Sequence, residues 1–574
     1  MSLEKVLEGL NPAQREVVDS RAHCVAIAVP GAGKTATIAA KAAVLLEDPD
    51  IRVGAVTFSK DAAVELRARI LSLAGPGTNR RLLAGTFHSL AYRQLTAPGG
   101  KRPDIASDGH RAAIVSQVLQ ELGLDLKLDE AMAIIDRLKI CLDAPREDTS
   151  DGRLYHAYQK ALGRSRRVDF QDLMRLSVLG MQEGSISPYA VDYLLVDEYQ
   201  DSDALQCLWT ALHARNGATT TVVADDDQCI FSFRAALGHK GIASFASEFG
   251  AQQIVLGKNY RSGAEILDAA GLVIRNNQER IPKELMSHRG PGGLVEFHRY
   301  DDEYKEAVAA IELLAPMLRA GKTAAVLART NRILDPIEAI CRSHGVKYYR
   351  AAGKSILDQP EAALFGSLLQ MIEDSSEGGL DSLIAYAGVD QSERELLHGS
   401  AATNTRDIAK KKDLLALGLS EHSAEKYRDF LKKLAEWRSL GERGFAALVL
   451  DGVREWLLGH AVTDRARRTI NTSYDVLARL NGSFADRLEY LSRKDNEPSP
   501  DALVLTTMHA SKGLEWNATV LVRCEETIIP DGDSVESEER RLFYVGMTRA
   551  RDHLRMTTAK KNPTSRFVAE AGFA

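Results

Sequence analysis

Short runs of hydrophobic residues recur along the chain, and each is followed by a polar or glycine-containing segment. They include CVAIAV (24–29), GAVTF (54–58), YLLVD (193–197), TVVAD (221–225), AAVLAR (324–329), ALVLTT (502–507) and ATVLVR (518–523). Nearly continuous hydrophobic runs of this length are typical of parallel strands that helices cover on both faces. The runs form two groups, one before about residue 262 and one after about residue 293. The pattern therefore predicts an α/β fold with two domains, each built on a parallel sheet flanked by helices.

Two long segments between these strands have a helical pattern instead. The first opens with the breaker-rich loop TAPGGKRPD (96–104) and continues into RAAIVSQVLQEL (111–122), where hydrophobic residues recur at helical spacing. The second, from about residue 371 to 497, contains stretches such as EKYRDFLKKLAEWRSL (425–440). Each predicted domain is therefore expected to carry a mainly helical insertion.

Composition and charge exclude several classes of protein. Of the 574 residues, 45% are hydrophobic and 26% are charged, which is typical of a globular chain. No run reaches the roughly 18–20 hydrophobic residues of a membrane-spanning helix, and no export signal is recognisable, so we expect a cytoplasmic protein without a membrane partner. Six scattered cysteines without a CxxC pair argue against a disulfide framework or a zinc ribbon. The net charge of -6 excludes coating of nucleic acid by bulk charge but allows a local basic groove.

The stretch AIAVPGAGKTAT (26–37) has the context of a phosphate-binding loop, because it follows a predicted strand and precedes a helical run. Backbone N–H groups around residues 31–33 can surround phosphates, and the glycines allow close approach. Lys34 would reach the β- and γ-phosphates, and the Thr35 hydroxyl would bind Mg²⁺. The first glycine of the usual pattern is replaced by Ala28.

A second acidic motif, LLVDEYQD (194–201), lies at the end of another predicted strand. Asp197 can hold Mg²⁺ through water, while Glu198 can orient and deprotonate an attacking water. Adjacent acids at a strand end point in different directions, which permits these two roles. Together with the phosphate-binding loop, the motif predicts a nucleotide-hydrolysing site.

With these two motifs, the chain resembles superfamily 1A DNA helicases of the UvrD/Rep/PcrA type from about residue 10 to residue 567. The further matching segments, in family order, are LNPAQREVV (10–18), AVTFSKDAAVELRARI (55–70), GTFHSLAY (85–92), VDFQDLM (168–174), ADDDQCIFSFRAA (224–236), LGKNYRS (256–262), TMHASKGLEW (507–516), EERRLFYVGMTRARDHL (538–554) and SRFVAE (565–570). The resemblance implies two RecA-like P-loop motor domains. The expected divisions are 1–93 with 168–265 (1A), 94–167 (1B), 266–370 with 498–574 (2A), and 371–497 (2B).

The resemblance also implies a set of site residues. The expected catalytic residues are Lys34, Glu198, Gln228 as the γ-phosphate sensor, and Arg261 and Arg549 as arginine fingers, the latter from the second motor domain. The expected ATP-binding residues are Gln14 and Tyr260 at the base, Glu515 at the sugar, and Gly31, Ala32, Gly33, Lys34, Thr35, Ala36, Arg261 and Arg549. Thr35 and Asp197 are the expected Mg²⁺ ligands. The expected DNA-binding residues are Thr57, Phe58, Thr86, His88, Phe231, Phe233 and His509.

By resemblance, Mg²⁺ accompanies ATP as the substrate, and hydrolysis in the cleft between the motor domains drives 3′-to-5′ translocation on single-stranded DNA with duplex unwinding. The expected partners are single-stranded DNA and single-strand/duplex junctions. One alternative is a translocase that removes bound proteins, or powers a nuclease or defence partner, without unwinding. An ATP-gated DNA switch would be expected to have lost Glu198 or an arginine finger, and a small-molecule kinase would leave the later motifs unexplained. Pathway, protein partners (repair, replication, nuclease or defence) and oligomeric state stay open.

Three departures from the family pattern change the expectations. Ala36 replaces an arginine that stacks on adenine, so one face of the base sandwich is lost. Phe231 and Phe233 replace a tyrosine and a tryptophan, which preserves stacking on a smaller platform without a polar group. Lys60 and Asp61 stand where Asn and Lys are usual, so one DNA backbone contact is expected to be exchanged or lost. ATP hydrolysis is expected to be intact.

Overall fold

A computed structural model of the chain describes residues 2–96, 102–351, 355, 359–374, 378–398, 400, 404–480, 482–492, 498–560 and 562–573. Tertiary contacts divide the chain into two compact units. The first consists of Met1–Val295, Pro530–Asp552 and Ala569–Ala574, and the second of Glu296–Ile529 and His553–Val568. Among the described residues, none of the helices combines the length and the hydropathy that crossing a membrane requires.

The described residues form strands and helices throughout both units. The strands are β1 (Cys24–Ala28), β2 (Val53–Thr57), β3 (Leu82–Thr86), β4 (Asp104–Ile105), β5 (Arg167–Val168), β6 (Tyr193–Val196), β7 (Thr219–Ala224), β8 (Gln252–Leu256), β9 (Lys258–Asn259), β10 (Met286–Ser287), β11 (Leu294–Tyr300), β12 (Ala324–Ala328), β13 (Tyr348–Arg350), β14 (Leu503–Thr507), β15 (Trp516–Leu521) and β16 (Ala550–Ala559). The helices are α1 (Leu3–Glu8), α2 (Pro12–Asp19), α3 (Lys34–Leu45), α4 (Lys60–Ala74), α5 (Phe87–Leu95), α6 (Asp108–Leu122), α7 (Leu128–Lys139), α8 (Ser150–Arg164), α9 (Phe170–Gln182), α10 (Ala204–Arg215), α11 (Gly238–Phe249), α12 (Ala264–Ile274), α13 (Glu303–Arg319), α14 (Asn331–Ser343), α15 (Pro360–Asp374), α16 (Leu380–Tyr386), α17 (Gln391–Leu397), α18 (Lys411–Ala416), α19 (Glu421–Glu442), α20 (Ala446–His460), α21 (Asp464–Arg479), α22 (Phe484–Ser492), α23 (Glu536–Met547) and α24 (Arg566–Glu570).

The first unit is built on a six-stranded sheet in the order β3-β2-β6-β7-β1-β8, and every neighbouring pair is parallel. Hydrophobic side chains fill a core on each face of this sheet. One core lies under α2, α3 and α4 around Ile38 and Leu66, and the other lies under α5, α9 and α10 around Leu90 and Trp209. Because β1, β2 and β6 are parallel, their carboxyl ends lie at one edge of the sheet, which is where ligands bind in sheets of this kind.

A separate helical part of the first unit lies between α5 and α9. Helices α6, α7 and α8 enclose their own hydrophobic core, with Val115, Ile135 and Tyr158 fully buried. The two-residue strands β4 and β5 pair in parallel at its base. The insertion therefore forms around a local core of its own, as its helical pattern predicts.

The second unit is built on a six-stranded sheet in the order β11-β16-β15-β12-β14-β13. Strand β12 pairs in parallel with β14 and β15, and β13 pairs in parallel with β14. Helices α13 and α14 cover the sheet through residues such as Leu314 and Ile337. Helices α15 to α22 form a second, all-helical core around Phe365, Tyr427 and Leu457.

The predicted α/β fold class, with parallel sheets flanked by helices, is confirmed. All seven hydrophobic runs form strands, namely β1, β2, β6, β7, β12, β14 and β15. The pattern did not predict β3, β8, β11, β13 or β16. In β8 three of the five residues are exposed, and the first part of β16 contains Arg551, Asp552 and Arg555. Neither sequence is therefore the continuous hydrophobic run on which the prediction depended. The four subdomain boundaries stay predictions.

Candidate active site

The phosphate-binding loop leaves β1 and enters the first turn of α3. Gly31 and Gly33 have φ angles of 65° and 76°, in the left-handed region that glycine adopts without strain. A Cβ atom on Gly31 would lie 2.7 Å from the Cβ of Arg261, so the loop also needs a residue without a side chain there. Lys34 is the first residue of α3, so backbone N–H groups at this helix end face the loop, an arrangement that favours phosphate binding.

Two other segments pack against this loop. The side-chain amide of Gln14 donates a hydrogen bond to the carbonyl of Ala32 at 2.9 Å, and the Tyr260 N–H donates to the carbonyl of Gly31 at 3.0 Å. Asn11 Nδ2 donates to the Tyr260 hydroxyl at 2.9 Å. The structure therefore brings Gln14 and Tyr260, which the sequence predicts to contact the base, to the same loop. Ala36 lies in the first turn of α3.

The two acids at the end of β6 contact the first two residues of α3. The Thr35 hydroxyl donates to Asp197 Oδ2 at 2.9 Å, and Lys34 Nζ donates to Glu198 Oε2 at 3.1 Å. Glu198 has a φ angle of 54°, which is uncommon for a residue other than glycine. Such strained positions concentrate at functional sites, because the surrounding structure must hold them in place.

The acids and the lysine strongly influence one another's ionisation. Burial, followed by the neighbouring Glu198, raises the pKa of Asp197 to about 6. Burial alone would lower the pKa of Lys34, but Glu198, Asp225 and Asp197 raise it above its usual value, so the ammonium stays charged. Thr35 and Asp197 together present hydroxyl and carboxylate oxygens, the hard donors that Mg²⁺ prefers. These two side chains therefore fit the metal that the sequence predicts.

Gln228 and the two predicted arginine fingers lie in the same compact unit as the phosphate-binding loop. Arg549 is almost completely buried, and its Nη2 donates to Gln228 Oε1 at 3.1 Å. Arg261 Nη1 donates to the carbonyl of Thr548, the residue directly before Arg549, at 3.2 Å. Burial, and then the charge of Arg261, lower the pKa of Arg549. Arg549, which the sequence assigns to the second motor domain, is thus part of the first compact unit.

Three consecutive acids precede Gln228 and surround one buried lysine. Lys283 Nζ lies 3.0 Å from Asp225 Oδ1 and 3.0 Å from Asp227 Oδ2, and it also pairs with Asp226. Arg280 makes a two-pronged contact with Asp227, at 3.0 and 2.7 Å. The ammonium of Lys283 is fully buried, so it supplies the cation that this acidic cluster requires. Sequence reasoning did not identify Lys283, because it stands 55 residues or more along the chain from its partners.

Replacing Lys283 with methionine is expected to lower the free energy of unfolding by about 3–5 kcal/mol, because three buried carboxylates lose their counterion. Urea denaturation followed by circular dichroism measures this change. The matched control is Lys240→Met, which removes an exposed lysine from α11 and is expected to change the free energy by less than about 0.5 kcal/mol. Equal stabilities of the two variants would contradict the role given to Lys283.

Two of the predicted DNA-contacting aromatic residues stack on each other. The rings of Phe58 and Phe231 have centroids 5.6 Å apart and planes inclined by 10°. The Arg234 guanidinium lies 5.5 Å from the Phe231 ring centroid and 6.0 Å from that of Phe58. Thr57, just before Phe58, is buried at the end of β2. The side chain of Phe233 lies outside the described residues.

A second aromatic pair lies at the start of α5 and α9. His88 stacks on Phe170 with ring centroids 4.2 Å apart, and Phe170 is 52% exposed. Burial lowers the pKa of His88 to about 4, so its imidazole is neutral at pH 7. Thr86 caps α5 by accepting the Ser89 N–H. Sequence reasoning named neither Phe170 nor Arg234 as a site residue, although both lie inside the matching segments VDFQDLM and ADDDQCIFSFRAA.

The remaining predicted site residues belong to the second unit. His509 follows β14, and burial, then the nearby Arg329, lower its pKa to about 4. Glu515 is exposed immediately before β15. Both residues lie in the segment that connects β14 to β15, two strands that β12 separates in the sheet.

Comparison with known proteins assigns both halves of the chain to described domains. Residues 10–249 match the UvrD/REP helicase N-terminal domain, and residues 254–375 and 457–561 match the UvrD-like helicase C-terminal domain. The chain is 28% identical to the ATP-dependent DNA helicase PcrA of Leuconostoc citreum and to that of Bacillus subtilis, covering 99% of this chain and 86% of each relative. It is also 28% identical to the ATP-dependent DNA helicase Rep of Escherichia coli, over 96% of this chain and 91% of that relative.

Proposed function

Because the chain belongs to the UvrD/REP helicase family, we infer that it is an ATP-dependent DNA helicase. The observation that carries this inference is the arrangement of charged residues around the phosphate-binding loop. Lys34 pairs with Glu198, and Gln228 pairs with Arg549, within one compact unit. The relatives that match nearly the whole chain carry the name ATP-dependent DNA helicase.

We propose that Glu198 orients a water molecule and accepts its proton as the water attacks the γ-phosphorus of ATP. A new bond forms from phosphorus to the water oxygen while the bond to the β–γ bridging oxygen breaks, which releases ADP and phosphate. Lys34, Arg261 and Arg549 neutralise the negative charge on the phosphate during this step. The lowered pKa of Arg549 supports this role, because a buried guanidinium beside another cation is stabilised by a nearby anion.

We propose that Thr35 and Asp197 hold the Mg²⁺ ion that accompanies ATP. The two side chains already lie 2.9 Å apart, oxygen to oxygen, at adjoining ends of α3 and β6. When bound, the ion neutralises phosphate charge and orients the substrate. Gln14 and Tyr260 would contact the base beside the loop, with Ala36 leaving one face of the base uncovered, and Glu515 would contact the sugar.

We propose that single-stranded DNA crosses the stacked pair Phe58 and Phe231. Stacking of a base on an aromatic ring contributes about 1–3 kcal/mol, and the adjacent Arg234 adds positive charge for the DNA backbone. The other proposed DNA-binding residues are Thr57, Thr86, His88, Phe233 and His509. ATP binding and hydrolysis then drive 3′-to-5′ translocation and unwinding at single-strand/duplex junctions.

The proposal is tested by measuring ATP hydrolysis with and without single-stranded DNA, and unwinding of a duplex that carries either a 3′ or a 5′ tail. We expect strong stimulation by DNA and unwinding of the 3′-tailed duplex only. Stimulation without unwinding of either duplex would favour a translocase that removes bound proteins or powers a partner. Unwinding of the 5′-tailed duplex alone would overturn the proposed direction.

A further inference from the structure

Gln200 is a buried residue whose side-chain amide forms hydrogen bonds through both its nitrogen and its oxygen. It lies in the short turn Tyr199–Asp201 that follows Glu198, and it is fully inaccessible to solvent. Its Nε2 donates a hydrogen bond to Glu198 Oε2 at 2.5 Å, and its Oε1 accepts the Asp225 N–H at 2.9 Å. One side chain therefore connects the proposed catalytic carboxylate to the start of the 225–228 loop.

The connection continues through this loop to Arg549. Gln228 Nε2 donates to Asp225 Oδ2 at 2.5 Å, while Gln228 Oε1 accepts from Arg549 Nη2 at 3.1 Å. With the Lys34–Glu198 contact at the other end, a continuous series of hydrogen bonds runs through Lys34, Glu198, Gln200, Asp225, Gln228 and Arg549. All six residues belong to the first compact unit.

Ion pairs with Lys283 fix the three acidic residues of the 225–228 loop relative to one another. Lys283 pairs with Asp225, Asp226 and Asp227, so the three carboxylates cannot separate without leaving a buried charge unpaired. The same chain segment continues to Phe231, which stacks on Phe58. Phe231, an aromatic residue of the proposed DNA track, therefore lies three residues beyond this fixed loop in the same segment.

We propose that Gln200 is a positioning residue that couples the state of the nucleotide at Glu198 to the affinity for DNA; this role rests on the proposed function. The amide suits the role because it donates to a carboxylate and accepts from a backbone N–H at the same time. A glutamate keeps only the acceptor, and a methionine of similar length keeps neither. In this role Gln200 acts through Glu198 on one side and through Asp225 on the other.

The experiment compares the full-length wild-type chain with Gln200→Met and Gln200→Glu. The affinity for a fluorescent oligo(dT) is measured without nucleotide, with ADP and with a non-hydrolysable ATP analogue. Couplings between sites typically change affinity by about 5- to 150-fold. We expect the nucleotide to change the wild-type DNA affinity within this range, and both variants to reduce the change to less than about 2-fold. The KM for ATP is expected to stay nearly constant while the stimulation of kcat by DNA is lost.

Gln206→Met is the matched control, because Gln206 is also buried and bonds to Asp203 rather than to the series. It is expected to keep the wild-type response to nucleotide. Thermal denaturation establishes that each variant is folded, and Gln200→Glu decides the outcome if the methionine variant does not fold. Folded Gln200 variants with the wild-type nucleotide response would overturn the coupling role alone. A wild-type chain whose ATP hydrolysis does not respond to DNA would overturn the proposed function as well.

Discussion

Replacing Arg549 with alanine is expected to lower DNA-stimulated ATP hydrolysis by about 10³-fold or more, the range measured for arginine fingers. The guanidinium is buried beside Arg261 and donates to Gln228 Oε1. Its removal therefore takes away a positive charge proposed to face the phosphate, together with the hydrogen bond to Gln228. The turnover of ATP in saturating single-stranded DNA measures the effect. Arg549→Lys is expected to recover little, because a compact ammonium lacks the planar fork by which the guanidinium donates from Nη2 to Gln228 and from Nε to the Val545 carbonyl.

Arg541→Ala provides the control for the loss of one positive charge, in the helix α23 that precedes Arg549. Arg541 lies on α23 and donates to the Glu279 carbonyl, and it is not one of the residues proposed for catalysis. Its replacement is expected to change turnover by less than about 2-fold. If Arg549→Ala kept turnover within 10-fold of the wild type while remaining folded, Arg549 would not be an arginine finger.

Replacing Glu198 with glutamine is expected to lower the hydrolysis step by about 10²- to 10⁴-fold while nucleotide still binds. The amide has the size of the carboxylate and can still accept the hydrogen bond from Gln200, but it cannot accept a proton from water. Single-turnover hydrolysis of labelled ATP measures the chemical step, and a fluorescent nucleotide measures binding. The dissociation constant of the nucleotide is expected to change by only a few-fold, because Lys34 is retained.

Glu248→Gln is the corresponding control, since Glu248 pairs with Arg215 at the surface and takes no part in the proposed site. It should hydrolyse ATP at the wild-type rate. A Glu198→Gln chain that hydrolysed ATP within 10-fold of the wild type would exclude Glu198 as the general base. Loss of binding together with hydrolysis would instead indicate that Glu198 mainly positions Lys34.

Much of the candidate site could be predicted from short segments of sequence. The phosphate-binding loop depends on residues 31–35, whose backbone conformation follows from glycines at Gly31 and Gly33 and from the start of a helix. Asp197 and Glu198 could be placed because a buried strand precedes them directly. In each case the chemistry depends on neighbours within a few residues, so the local pattern contains nearly all the information.

Contacts between distant segments could not be predicted in the same way. The pairing of Lys283 with Asp225, Asp226 and Asp227 joins residues more than fifty positions apart, and nothing in the spacing of either segment indicates the other. Gln200 was visible as part of DEYQD, but its second hydrogen bond goes to Asp225, which directly follows the neighbouring strand β7. Strands β3 and β16 were missed because neither is a continuous hydrophobic run: β3 ends in Gly85 and Thr86, and β16 contains Arg551, Asp552 and Arg555.

The sequence by itself determined the α/β class, the buried strands, the helical insertions, and the residue types that we propose for binding phosphate and metal. These features follow from hydrophobic periodicity and from backbone geometry over a few residues. Only the tertiary structure decided that Arg549 lies against Gln228 in the first compact unit, that Phe58 stacks on Phe231, and that Gln200 bridges Glu198 and Asp225. Such contacts form when parallel strands bring distant loops to one edge of a sheet, and that closure depends on the packing of the whole core rather than on any local pattern.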